Sequence, residues 1–323
     1  MPDNTNSNVG SNPVGSKPVV PDSSTSKKDT RPSRRNSRKP RTSRNKAGNN
    51  QESLPVSKKS LISGTPIVSV STLKEMKGKQ PIVGLTAYDS IMGHFVSKAG
   101  VDFILVGDSV GTTMLGHKTT IPVTINDMIH HTAAVRRSEP NCLLVADLPF
   151  GEASLSFDRL LESARALMQK GGADAVKIEG GKDIADDVEK LVATGIPVLG
   201  HIGLLPQTVK AIGGYRKFGS QKEEAESLYT DAISLEEAGV FAIIGEMIEE
   251  DLASELSRQV LPPLIGIGSG ERCDGQILVT PDLLGWSNGP VPSFVKQYAD
   301  LNHEVSVALN RYVKDVKGRK KAR

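Results

Sequence analysis

Cysteine is nearly absent from this chain: Cys142 and Cys273 stand far apart, outside any Cys-x-x-Cys or Cys/His ligand spacing. That excludes a disulfide framework and a cysteine-based structural zinc site. Cys142 opens an apolar strand and reads as a small buried hydrophobe, not as a catalytic thiol. Aromatics are missing altogether from residues 1–60, which are dominated by Ser, Asn, Pro, Lys and Arg. Such a stretch cannot bury enough apolar surface to offset the entropy of ordering it, so a disordered arm is expected. Long apolar runs are lacking too. Nothing has the length of a bilayer span or the apolar core of a signal peptide, which points to a cytoplasmic protein with no membrane partner. No Gly-x-Gly-x-x-Gly opens a helix after the first strand, which disfavours dinucleotide binding.

Charge is distributed unevenly. Residues 1–60 hold 13 Lys and Arg against 4 Asp and Glu, and residues 311–323 hold 7 against 1. The two ends thus carry +9 and +6 within a formal total of +3, leaving −12 for residues 61–310. The basic character belongs to the ends and the middle is acidic. Mobile cations around Arg31–Arg41 could bind nucleic acid or another polyanion through counterion release. No aromatic is interleaved there to stack on bases, so a solvated tail is the favoured reading, and nucleic acid enters only through this arm.

Order begins near residue 69. A helix signal at 71–77 precedes strand candidates at 81–88, 103–109, 143–149, 175–180, 197–203, 241–247, 264–268 and 276–280. Amphipathic segments lie between them, such as 157–168 closed by Gly171-Gly172. Eight strands alternating with helices predict an α/β fold, a (β/α)8 TIM barrel. The expected division is an arm at 1–68, a catalytic barrel at 69–310 and a basic tail at 311–323.

Four apolar runs stop at an acid: Leu105-Val106-Gly107-Asp108, Leu144-Val145-Ala146-Asp147, Val176-Lys177-Ile178-Glu179 and Ile243-Ile244-Gly245-Glu246. Parallel barrels gather such ends at one mouth, where their chemistry sits. A lone strand-end acid is more often a helix cap. Three on consecutive strands, Asp108, Asp147 and Glu179, point to a hard-oxygen site for Mg²⁺, with Glu179 binding directly or through water. Lys177 shares the inward side with Glu179, two residues on. It either holds a substrate oxyanion, forms a Schiff base or balances the acids. Ser109 offers a hydroxyl to a substrate carboxylate, and His201 is either a supporting hydrogen-bonding residue or a rim histidine. Glu246, away from the proposed ligands, is free to act as a base.

At these residues the chain resembles the ketopantoate hydroxymethyltransferase family. The matching segments include Leu85-Thr86-Ala87-Tyr88-Asp89, Gly107-Asp108-Ser109, His131-Thr132-Ala133-Ala134, Asp147-Leu148-Pro149-Phe150, Lys177-Ile178-Glu179-Gly180-Gly181, Gly200-His201-Ile202-Gly203-Leu204, Pro206-Gln207 and Asp274-Gly275-Gln276. They run in order from about residue 71 to about 310. The resemblance implies a barrel of the phosphoenolpyruvate/pyruvate type, Mg²⁺ dependence and a homodecamer. It also implies transfer of a hydroxymethyl group from 5,10-methylenetetrahydrofolate to 3-methyl-2-oxobutanoate. Asp108 and Asp147 would ligate the metal with Glu179. Asp108, Ser109, Asp147 and Lys177 would bind the oxo acid, and Glu246 would accept its proton. The chain departs from the family pattern at Lys118, at Phe218-Gly219-Ser220, at Ile248-Glu249 after Met247, and in its basic C-terminal end. Two rival readings remain at this point: a phosphoenolpyruvate mutase or isocitrate lyase relative, and a polyanion-binding protein whose barrel is only a scaffold.

Overall fold

Eight short apolar runs pair edge to edge into a closed parallel barrel, in the order β1 to β8, in the computed structural model, which describes residues 68–319. The strands are β1 (Ile82–Thr86), β2 (Phe103–Val106), β3 (Leu143–Asp147), β4 (Ala175–Glu179), β5 (Val198–Gly203), β6 (Ala242–Glu246), β7 (Leu264–Ile267) and β8 (Gly275–Leu278). The helices are α1 (Val70–Met76), α2 (Ser90–Lys98), α3 (Val110–Thr113), α4 (Ile125–Arg136), α5 (Phe157–Gln169) and α6 (Ala185–Ala193). They continue as α7 (Val209–Ile212), α8 (Lys222–Glu237), α9 (Glu250–Gln259), α10 (Thr280–Leu283) and α11 (Leu301–Lys317). The barrel expected from the sequence is therefore the one observed. The expected arm, with its disorder and its polyanion binding, lies outside the described residues. The 310/311 boundary drawn from charge falls inside α11, which runs unbroken through it. Among the described residues no helix is long and apolar enough to cross a membrane.

Strand alternation separates two cores. Leu144, Ala146, Val176 and Ile178 face outward and pack with helix residues such as Leu160, Leu167, Leu191 and Leu256. Their neighbours Leu143, Val145 and Ala175 face inward with Phe103, Leu105, Leu199 and Ile265. Both faces are buried, which is why the strands read as continuous apolar runs. The interior cluster also takes Leu73 and Met76 of α1. Lys77, just past α1, donates to the carbonyls of Ser257 and Pro262 and to Asp274; Pro262 lies two residues before β7 and Asp274 immediately before β8. The helix thus plugs the N-terminal end of the barrel and leaves the C-terminal end as the mouth.

Gly84 shows how tightly the interior is filled. It pairs in register with Phe103, and a Cβ placed on it would lie 2.3 Å from the Phe103 ring. Phe103 is fully buried and has nowhere to retreat. Gly84→Ala is therefore expected to cost about 1–3 kcal/mol through overpacking. A urea titration checks this: the midpoint should fall with the slope unchanged, and an unshifted midpoint would mean that the ring relaxes freely.

Candidate active site

The mouth collects the strand-end acids by register. Asp147 ends β3 opposite Lys177 on β4, and Glu179, two residues further, stands opposite His201 on β5. Lys177 Nζ donates to Asp147 Oδ2 at 2.6 Å and lies 3.6 Å from Glu179 Oε1. Asp108 is not on β2, as its run suggested, but two residues past it, where Gly107 and Ser109 turn the chain into α3. Its backbone N–H donates to Asp147 Oδ2 at 3.3 Å, which holds the loop over the strand end. Asp108, Asp147, Lys177 and Glu179 are all buried.

Charge alone does not show every member of the site. Gln207 sits in the turn Pro206–Thr208 after β5. Its Nε2 donates to Asp108 Oδ2 at 3.1 Å and to the Leu148 carbonyl at 3.0 Å, while its backbone N–H donates to Glu179 Oε2 at 3.1 Å. One residue therefore braces two of the three acids. Tyr88, at the end of the β1 run, shares a 2.8 Å hydrogen bond between its phenol and Ser109 Oγ, and burial pushes that phenol up to about 12. Both residues are uncharged, so charged strand ends alone do not point to them; their signal lay in the resembling segments Leu85-Thr86-Ala87-Tyr88-Asp89 and Pro206-Gln207. His201 lies between acids, with Nδ1 3.6 Å from Glu179 Oε1 and Nε2 3.3 Å from Glu246 Oε2. Glu246 is one histidine away from the acid cluster and outside it. The Cys142 and Cys273 thiols are raised to about 11 by burial, which keeps them protonated and inert.

The electrostatics follow from burying three carboxyl groups beside one lysine. Burial pushes Asp147 up to about 7, with Lys177 opposing and Asp108 adding to the rise. Glu179 lies well above its ordinary value, mainly through burial, with Lys177 again opposing. Burial works against the Lys177 charge, but Asp147, Glu179 and Asp108 outweigh it and raise its pKa, so it stays an ammonium. His201 is held well below its usual value by burial and by Lys177, and stays neutral. Glu246 rises to about 8 through burial, with only Lys177 opposing.

One lysine does not balance three acids. Asp147 Oδ1 and Glu179 Oε1 are buried without a hydrogen-bond partner, which is costly for an oxygen taken out of water. Asp108, Asp147 and Glu179 each offer an oxygen, and the three lie within 4.8 Å of one another. All-oxygen, excess-negative and partnerless, this donor set fits a hard divalent cation. The stability consequence has a definite sign. Asp147 and Glu246 hold protons more tightly in the folded state than unfolded, so the stability they lend is complete below the ordinary carboxyl range of about 4. It is lost as pH rises through about 7 and 8. In chelator, the thermal midpoint is expected to fall from pH ~6 to pH ~9, and a divalent cation should raise it more at the alkaline end, where it need not displace protons. Calorimetry at both pH values checks this, and an equal cation effect at both would contradict it.

The acids line the floor of a cavity of about 730 Å³, with Tyr215, Met247, Phe294 and Lys118 among its other walls. The family described as ketopantoate hydroxymethyltransferase matches residues 67–321 of this chain. The chain is 47% identical over 252 residues to the 3-methyl-2-oxobutanoate hydroxymethyltransferase of Shouchella clausii, covering 78% of this chain and 90% of that one. It is 47% identical over 249 residues to the enzyme of the same name from Pseudothermotoga lettingae, covering 77% and 94%. Among solved structures, it resembles a phosphoenolpyruvate phosphomutase from Streptomyces platensis with a TM-score of 0.52 at 12% identity, covering 79% of this chain and 90% of that one. A 2,3-dimethylmalate lyase of the PEP mutase/isocitrate lyase superfamily gives a TM-score of 0.51 at 14% identity, covering 80% and 88%. At such identities these two likenesses speak for the fold alone.

Proposed function

The chain belongs to the ketopantoate hydroxymethyltransferase family, and from that premise we propose that it transfers a hydroxymethyl group from 5,10-methylenetetrahydrofolate to 3-methyl-2-oxobutanoate. The product is 2-dehydropantoate, for pantothenate and coenzyme A biosynthesis. The observation that carries the reading is the buried set of Asp108, Asp147 and Glu179 around Lys177, with Glu246 set apart from it.

Mg²⁺ is the ion we infer for the oxygen set, held by Asp108 and Asp147, with Glu179 completing the site directly or through water. Bound there it would supply Lewis acidity, drawing charge from the keto oxygen and acidifying the C3–H bond. Lys177, fixed as an ammonium, and the Ser109 hydroxyl bind the oxygens of the oxo acid. Gln207 and the Asp108 N–H hold the acids in place, so no reorganisation is needed as charge develops. Glu246 takes the C3 proton, and the electrons of that bond form the enolate. Water cleaves both C–N bonds of the folate's methylene bridge, its two hydrogens passing to the two nitrogens, so that tetrahydrofolate is freed and the one-carbon unit becomes formaldehyde. The enolate carbon then adds to that carbonyl, and the proton held by Glu246 passes to the resulting alkoxide to give the hydroxyl. Neutral His201 keeps Glu246 from pairing with a cation and so leaves it basic.

Assembly as a homodecamer belongs to the same reading. Supporting it are apolar side chains left in solvent, Ile91 and Phe95 on α2, and α11, none of whose residues is buried within the chain. The test of function is an assay of purified protein with both substrates and Mg²⁺. Mg²⁺-dependent formation of 2-dehydropantoate, identified by mass spectrometry, is expected. Absence of that product at any Mg²⁺ concentration would overturn the reading.

A further inference from the structure

The cavity over the acids is charged unevenly. Among the described residues five carboxyl side chains line it, Asp108, Asp147, Glu179, Glu246 and Asp282, against two lysines. Lys177 is buried at the floor, paired with Asp147 and taken up by the oxo acid. Lys118, in contrast, is exposed where it lines the cavity and forms no ion pair among the described residues. Other walls are apolar or aromatic, including Tyr215, Val291, Pro292 and Phe294. A small branched oxo acid at the floor leaves most of the 730 Å³ for a second, larger molecule with an apolar, flat body. If that molecule has an anionic end, the floor acids repel it and Lys118, the one cation at the mouth without an ion pair among the described residues, attracts it.

The folate co-substrate has this polarity. Its one-carbon unit must meet C3 of the oxo acid beside Glu246, while its glutamate tail lies at the far end from the pterin and adds a carboxylate with each further residue. We propose that Lys118 reads the glutamate tail, so that this protein discriminates in favour of polyglutamylated 5,10-methylenetetrahydrofolate over the monoglutamate. The proposal rests on the hydroxymethyl-transfer reading above. Lys118 touches no reacting atom, so it acts on co-substrate affinity and orientation and not on the chemical step. An exposed ion pair is a weak contact, screened by salt, which limits the size of the effect.

The experiment measures kcat and KM of the full chain with the mono- and triglutamyl forms, at low and high ionic strength, for wild type, Lys118→Ala, Lys118→Arg and Lys118→Glu. Wild type should show a KM about 2–5-fold lower for the triglutamate at low salt, a preference that fades at high salt. Lys118→Ala should lose the preference at unchanged kcat, Lys118→Arg should keep it, and Lys118→Glu should reverse it. Turnover with equal KM for both forms in wild type, or a preference that survives in Lys118→Ala and Lys118→Glu, would overturn the role of Lys118 while leaving the transfer reaction standing. Turnover with neither form would overturn the transfer reading and the proposal together.

Discussion

Glu246→Gln is expected to lower turnover by about 10²–10⁴-fold, the range over which a positioned general base contributes, while oxo-acid binding stays within a few-fold. Gln keeps the shape and the hydrogen-bonding reach of the side chain but cannot accept a proton. Binding survives because Glu246 is not among the residues assigned to the oxo acid or to the cation. Its environment suits a base that works near neutrality: burial raises it to about 8, and its near neighbour at 3.3 Å is a neutral imidazole and not a cation. Since only the ionised form removes a proton, wild-type turnover should climb as pH rises toward about 8 and then level off. Steady-state kinetics with both substrates varied separates the two effects. A variant with more than half the wild-type kcat would move the proton abstraction to another group, with His201 the nearest candidate.

Asp147→Asn is expected to weaken cation binding by at least about 100-fold, the upper loss seen when a group that merely supports a ligand is removed, and to cut turnover accordingly. Asp147 Oδ2 is already committed to Lys177 and to the Asp108 N–H, while Oδ1 is buried with no partner. Asn removes the charge and replaces one oxygen by an NH₂ that cannot ligate. The fold should persist, because the substitution removes one of three crowded acids. Stability measured against Mg²⁺ concentration is the readout besides activity: the variant's thermal midpoint should stop responding at concentrations that shift wild type. A wild-type response in the variant would remove Asp147 from the ligand set.

Much of the barrel was readable because strand burial on both faces leaves unbroken apolar runs, and β3, β4 and β6 do end on Asp147, Glu179 and Glu246. What the pattern cannot distinguish is an acid that faces the mouth from one that caps a helix. Asp89 follows an apolar run just as Asp108 does, yet its carboxylate accepts from the Met92 N–H as the cap of α2. Asp174, beside β4, accepts from Arg136 and from the Leu144 N–H at the opposite end of the strands. Register and loop path, set by the closed sheet, separate these cases. The same holds for Gln207 and Tyr88, whose importance comes from what the turn after β5 and the end of β1 bring them against. Lys177 was readable as an inward cation, and of the alternatives open to it the charge-balancing contact with Asp147 is present in the structure. Its excess donors leave room for a substrate oxyanion as well.

On the proposed mechanism, the acid cluster makes C3 of the oxo acid reactive before the folate arrives. The direct measurement is proton NMR of 3-methyl-2-oxobutanoate in deuterated water with the protein and Mg²⁺ and no folate. The C3 proton signal should decay in wild type, chelator should stop the decay and Glu246→Gln should suppress it. A C3 signal that persists in wild type, or one that decays at the same rate in chelator and in the variant, would contradict the mechanism.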